Sequence, residues 1–470
     1  MNAQEKFNKA SARWPHAHSP LFFERPHWTR RRFFQLAGAG LSGFFLESPA
    51  TLLGDTVSQA AVTPQNKAKN CIFILLAGAP SHVDLFDYKQ VVGVTPSNFA
   101  PETIPGIGLF PTGLLPKMKD RMGEVAIVRS MRAWAAVHGL AQTWVQIGRN
   151  PTSALGPVSP NIGSIVAIEK EAERLPSQIF PTFLALNSGA AVGAGYFGAR
   201  YAPFKAEPAA TGLRNTSSTA AGGPVVFNER FNLLHLLDDP LRVRSPLGRP
   251  VEDMDAFYSA ARAMIDNPAV ASAFSFTTAD SQRYGNTGFG NACLVAKQVL
   301  AANQGTRYIQ VTFGGWDHHQ DIYDANDPAS LYGLSRQLDN GLSELLADLK
   351  SSGLLNETLV VAQGEFGRTV GPLTGDGGRD HYLQQFALFA GGGVRGGRAI
   401  GSTDAEGRFT ADPGWSGNRD VTPEDVEATV LSGLGIDWTK IRYDDPFGRG
   451  FEYVPYAREG RYGPIHELWG

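Results

Sequence analysis

Six short apolar runs limit what this chain can fold into. They lie at residues 71–76, 125–128, 181–186, 308–313, 358–363 and 386–390, and stretches with helical spacing alternate with them. Strands this apolar need cover on both faces, so the pattern predicts an α/β fold with a largely parallel sheet and helices around it. The clearest helix is 331–349, where Leu331, Leu334, Leu338, Leu342, Leu345 and Leu349 recur three and four residues apart. Pro328 suits its first turn and Gly353 its end. A second helix follows Thr422-Pro423-Glu424-Asp425, in which Thr422 and Asp425 have capping-box spacing. With 470 residues, 43% of them hydrophobic, the chain can fill such a core. Residues from about 187 to 250 differ: Gly, Ala, Ser, Thr and Pro dominate with no sustained period, as in a lid or excursion over the sheet. The reading is one domain over 62–470 carrying that insertion.

The first 61 residues are not domain sequence. Thr29-Arg30-Arg31-Arg32-Phe33-Phe34 precedes a mildly apolar segment, Leu36 to Leu46, and small residues follow at Ser58-Gln59-Ala60-Ala61. Basic residues, a short apolar stretch and a small-residue cleavage site predict an export signal, and the paired arginines resemble the twin-arginine type. The expected location is periplasmic or extracellular. No apolar run reaches the roughly 18 residues of a membrane span, so no transmembrane helix is expected in the mature form. The leader holds seven of the 42 Lys/Arg and four of the 45 Asp/Glu, so the remainder carries a net charge of about −6, which disfavours nucleic acid as a partner. Cys71 and Cys293 sit in apolar contexts that suit buried thiols; a disulfide between them is open after export but has no support in the pattern.

Acidic and imidazole side chains concentrate just past the apolar runs, where open α/β sheets bind ligands. Run 71–76 leads to Ser81, His82 and Asp84; run 308–313 to Asp317, His318 and His319; run 358–363 to Glu365 and Arg368. Arg379, Asp380 and His381 precede run 386–390. If the strands are parallel, these groups converge on one edge. Asp and His bind zinc or manganese, and a divalent metal there would make hydroxide from water near neutral pH. Asp317 and His319, two apart, can face one ion, with His381 as a third ligand. One of His318 and His319 can instead cap a loop. Glu365 is a further ligand, a general base, or the ion-pair partner of Arg368. Arg368 can clamp a tetrahedral anion with its planar fork. Ser81 and His82 stand at a turn where backbone N–H groups can hold an anion, and Asp84 is a ligand or a helix-start cap.

Together with the leader, several motifs resemble the exported bacterial family DUF1501. They are Leu76-Ala77-Gly78-Ala79-Pro80-Ser81-His82-Val83-Asp84, Gly315-Trp316-Asp317-His318-His319, Gly364-Glu365-Phe366-Gly367-Arg368-Thr369, Gly378-Arg379-Asp380-His381 and Ala390-Gly391-Gly392-Gly393. That family is grouped with sulfatase-like proteins of the alkaline phosphatase superfamily, which implies a three-layer sandwich around the sheet. By the same resemblance, 137–151 is similar to the sulfatase segment in which a nucleophile opens a helix, and His138 stands in the nucleophile's place. Glu365-Phe366 replaces a metal-binding Asp-His pair. Asp317, His319 and His381 look like the ligands of one retained metal site.

Two functions are therefore expected. The first is an exported metal-dependent hydrolase of sulfate or phosphate esters, with metal-bound hydroxide or His138 attacking, Arg368 holding the anion and Glu365 relaying protons. His318, Asp380, Ser81, His82 and Asp84 would support the site or touch substrate. The second is a non-catalytic binding protein for sulfated or phosphorylated glycans on a degenerate hydrolase scaffold.

Overall fold

Eight strands form the central sheet: β1 (Asn70–Leu76), β2 (Val125–Arg132), β3 (Phe183–Leu186), β4 (Phe204–Ala206), β5 (Tyr308–Phe313), β6 (Thr358–Gln363), β7 (Gln384–Ala390) and β8 (Arg398–Ile400). The computed structural model describes residues 62–470 apart from 219–220 and 243–248; the expected export leader lies outside the described residues. The strand order is β8-β2-β7-β6-β1-β5-β3-β4. Every pairing is parallel except those of β7, which runs antiparallel to both β2 and β6.

The apolar runs are strands because both of their faces are buried. Along β1, Ile72, Ile74 and Leu76 enter one core cluster, whereas Cys71, Phe73 and Leu75 enter the other. The helices α1 (His138–Ile147), α2 (Ile162–Lys170), α3 (Gly223–Arg242), α4 (Arg249–Met264), α5 (Gly288–Ala302), α6 (Leu331–Ser351) and α7 (Pro423–Gly433) follow in chain order. The apolar sides of α5 and α6 fill the first core, and those of α2 and α7 fill the second. The fold is thus α/β with a mostly parallel sheet between two helical layers.

Helix α6 buries the leucine stripe that its spacing predicts. It starts at Leu331, three residues past Pro328, so the proline precedes the first turn; Gly353 follows the helix in the left-handed region at φ 77°. Thr422 and Asp425 do form the capping box of α7. The stretch at 187–250 is not irregular throughout, because α3 and the start of α4 lie within it. Apolar side chains of α3 such as Leu233, Leu236 and Leu237 are exposed, so no buried stripe marks the helix. Cys71 and Cys293 are separate buried free thiols, pushed well up by burial. Among the described residues no helix is long and apolar enough to cross a membrane.

Candidate metal centre

The parallel strands end, and the antiparallel β7 begins, at one edge of the sheet, and four segments meet there. After β5, Gly315 turns the chain at φ 103°, and the fully buried Trp316 packs edge-on to Phe313 with ring centroids 5.3 Å apart. That anchor sends Asp317 and His319 outward and His318 inward. After β2, the chain passes Ala136 and opens α1 at His138. Between β6 and β7, Gly367–Arg368 pairs antiparallel with His381–Tyr382, placing His381 opposite Arg368.

His138, Asp317, His319 and His381 bring one ligand atom each within 4.8 Å of one another. Asp317 Oδ1 lies 3.1 Å from His138 Nε2, 3.1 Å from His319 Nε2 and 3.7 Å from His381 Nε2. The Nε2 atoms of His319 and His381 are 3.1 Å apart. Each ring is fixed from behind through Nδ1. His138 Nδ1 donates to Glu365 Oε1 at 2.7 Å, His319 Nδ1 to Asp380 Oδ1 at 3.0 Å, and His381 Nδ1 to the carbonyl of Ala136 at 2.8 Å. An imidazole that donates through Nδ1 presents a lone pair at Nε2 when neutral. Three Nε2 atoms and a carboxylate oxygen therefore face one point, the kind of donor set that holds a cation. Carboxylate or carbonyl partners behind ligating histidines are what metal sites require. The residues present fit one divalent metal, and the three imidazoles suit zinc better than a purely oxygen-liganded ion.

The electrostatics agree. The hydrogen bond that His138 donates to Glu365 raises its pKa against the opposing effect of its partial burial, and the charges of Glu365 and Asp317 add to it. Burial pushes the Asp317 carboxyl up, but the hydrogen bond and charge of Arg368, with His138 and His319, hold it below the usual carboxylate value.

Two expected roles need correction. Glu365 is fully buried behind His138 and is not one of the ligands; its Oε1 also accepts from Gly78 N at 2.9 Å and Gln142 Nε2 at 3.0 Å. Arg368 is fully buried too and closed to a substrate anion. Its Nε donates to Ala79 O at 2.9 Å, its Nη1 to Arg379 O at 3.1 Å and to His319 Nε2 at 3.4 Å, and its Nη2 to Gly78 O and Asp317 Oδ1. It holds Asp317 in place. Both charges went inside because backbone carbonyls and N–H groups far along the chain satisfy them.

Ser81, His82 and Asp84 are fully buried and bonded within the protein. Asp84 accepts from Ser81 Oγ at 2.6 Å, Tyr323 Oη at 2.6 Å and Arg379 Nε at 2.8 Å. His82 Nε2 donates to Gly407 O at 2.8 Å, and burial lowers its pKa. His318 Nε2 donates to Ala329 O at 2.9 Å, away from the cluster. Asp380 is exposed and orients His319. Sequence reasoning placed His138 at the site only as a stand-in nucleophile and missed Gln142. Gln142 lies four residues after His138, on the same face of α1.

Gly78 matters for a steric reason. Its φ is 108°, and a Cβ there would stand 2.7 Å from the backbone nitrogens of Trp316 and Asp317. Gly78→Ala should cost about 2 kcal/mol or more through backbone strain and shift Asp317. Thermal unfolding together with metal analysis checks this; an unchanged midpoint with full metal content would refute it.

Residues 68–454 match the family model described as "Protein of unknown function (DUF1501)". No curated protein matches the chain. Among solved structures, Ps i-CgsB in complex with k-i-k-neocarrahexaose is similar at 11% identity and TM-score 0.41, covering 86% of this chain and 79% of that one. A protein in the alkaline phosphatase superfamily from Vibrio parahaemolyticus matches at 12% identity and TM-score 0.37, covering 80% and 69%. Phosphonate monoester hydrolase SpPMH from Silicibacter pomeroyi matches at 12% and 0.38, covering 86% and 77%. Scores of this size carry nothing about activity.

Proposed function

The chain belongs to the DUF1501 family, and from the site it carries we propose an exported, metal-dependent hydrolase of sulfate or phosphate esters. The observation that supports this most is the convergence of three Nδ1-tethered imidazoles on Asp317. His138, His319, His381 and Asp317 would hold one divalent metal, zinc or manganese. Such an ion, when bound, polarises an ester oxygen and lowers the pKa of water toward ~7. Asp380 and Ala136 O fix the rings of His319 and His381, and Arg368 fixes Asp317. Glu365 holds the tautomer of His138. Export rests on the paired arginines of the leader.

A second reading, a non-catalytic binding protein for anionic glycans, draws on one specific observation. All five N–H groups of Arg368 already face protein acceptors, leaving none for an anion, and four protein ligands complete a tetrahedral set. Turnover of 4-nitrophenyl sulfate and 4-nitrophenyl phosphate by metal-loaded protein separates the two. Turnover abolished in His381→Ala supports the hydrolase; a stoichiometric metal with turnover of neither ester sinks it.

Glu365→Gln is expected to weaken metal binding by about 10- to 100-fold, because the ligand His138 loses its charged orienting partner. Competition with a chromogenic chelator measures this, and unchanged affinity would remove Glu365 from the site's working parts.

A further inference from the structure

A cavity that shares no lining residue with the cluster takes two of its walls from the segment leading into α1 and from α1 itself. It has a volume of about 550 Å³, and Trp134, Trp144, Arg149, Arg449, Tyr456 and Arg461 are among its lining residues. The size is that of a small-molecule site. Trp134 is two residues before Ala136, whose carbonyl fixes His381. Trp144 is six residues after His138 on the same helix, about 9 Å along its axis.

The two indoles form a prepared platform. Both N–H groups donate to one buried carboxylate, Trp134 to Glu424 Oε2 and Trp144 to Glu424 Oε1, each at 2.9 Å. The rings lie 6.3 Å apart with an angle of 24° between their planes. With their donors spent on Glu424, the indoles offer the cavity only ring surface. The C–H faces of a sugar are apolar and slightly positive, and they stack on the negative face of such rings.

Charge decides which sugar. The carboxylates lining the cavity are committed, Glu424 to the indoles and Glu452 Oε2 to the backbone N–H of Tyr456 at 2.9 Å. The exposed guanidinium groups of Arg449 and Arg461 are not. Among the described residues no carboxylate lies within ion-pair range of the Arg449 or Arg461 guanidinium; Arg461 rests over the rings of Tyr456 and Tyr462 at 5.5 Å and 5.3 Å. Arg149 is buried and held by the protein: its Nη2 donates to the carbonyls of Glu452 and Tyr453, and its guanidinium lies 4.0 Å over the Phe451 ring. A second cavity of about 480 Å³ shares Trp134, Arg461 and Tyr462 with the first, so one aromatic wall serves two adjoining sugar-sized spaces.

We propose that this paired cavity binds an oligosaccharide bearing sulfate or carboxylate groups, its rings on Trp134 and Trp144 and its anions on Arg449 and Arg461. The proposal rests on the ester-hydrolase reading only in making this saccharide the substrate; binding itself is independent of the metal.

Calorimetric titration of the full chain tests it, using hexasaccharides of heparin, chondroitin sulfate and sulfated galactan, each beside its desulfated form. At least one sulfated probe should bind, about tenfold or more tighter than its desulfated form, and Trp144→Ala and Arg461→Gln should each weaken it about tenfold. Trp144→Phe should retain most of the affinity, which separates a lost ring from a lost fold. Asp317→Ala, which removes a ligand but no cavity residue, should bind the probe normally. The proposal fails if no sulfated probe binds, if Trp144→Ala and Arg461→Gln bind like the parent, or if Asp317→Ala abolishes binding. Absence of metal or turnover with binding intact would sink the hydrolase reading and leave this one standing.

Discussion

Chelation of the bound metal is expected to lower the unfolding free energy by about 4 kcal/mol when the comparison sample holds free ion at about a thousand times its Kd. The site exists only in the folded chain, so binding energy becomes folding energy. Urea unfolding with and without chelator measures the difference, and mass spectrometry of the dialysed protein gives the stoichiometry, expected to be one ion per chain. Asp317→Ala and His381→Ala should erase the difference. A parent protein that unfolds identically with and without chelator would show that the three imidazoles and Asp317 hold no ion.

The effect has a definite pH dependence. His138 has a folded pKa raised above its ordinary 6.5, chiefly by the Glu365 hydrogen bond. In the metal-free protein its protonated form therefore contributes stability that is complete below that ordinary value and is lost as pH rises through the folded value. A metal must displace that proton, so its affinity climbs across the same interval. The chelator effect should accordingly be larger at about pH 8 than at about pH 6. An effect that shrank as pH rose would contradict His138 as a ligand.

Asp84→Ala is expected to destabilise the fold by about 3–5 kcal/mol, the cost of stranding one partner of a buried ion pair. Asp84 and Arg379 are both fully buried. Removing the carboxylate leaves the guanidinium uncompensated and takes an acceptor from Ser81 and Tyr323. Chemical unfolding measures the loss, and a change below about 1 kcal/mol would mean that water reaches Arg379. The carbonyl of Arg379 also receives Arg368 Nη1, so the same variant should bind metal less tightly.

Much of the fold was legible because burial on both faces leaves a plain signature. β5 and β6 have the limits of their apolar runs, and the leucines of α6 are the buried ones. The pairing of Asp317 with His319 was also legible, since alternate residues past a strand end share a side. Strand order was not, because it depends on contacts between distant runs of similar composition. The reversal of β7 had a readable cue: 364–383 lacks the helical period that a parallel crossover needs. The convergence on one edge holds for the reversed strand too, since an antiparallel strand starts where its parallel neighbours stop. Glu365 and Arg368 misled because charged residues in a loop read as exposed, and their interior places are stabilised by backbone groups of 78–79.

The reversed strand has a consequence for how this protein can change. Since β7 starts at the edge where β6 ends, Glu365, Arg368, Arg379, Asp380 and His381 all come from one connection that never crosses the sheet. Its middle, 370–377, is exposed or half-buried and packs into neither core cluster apart from a contact by Leu373. Lengthening or shortening that turn would move His381 relative to Asp317 while the helical layers stay as they are. The ligand geometry at this edge can therefore change through one loop while the two core clusters keep their residues, and the loop is the natural place to alter it by design.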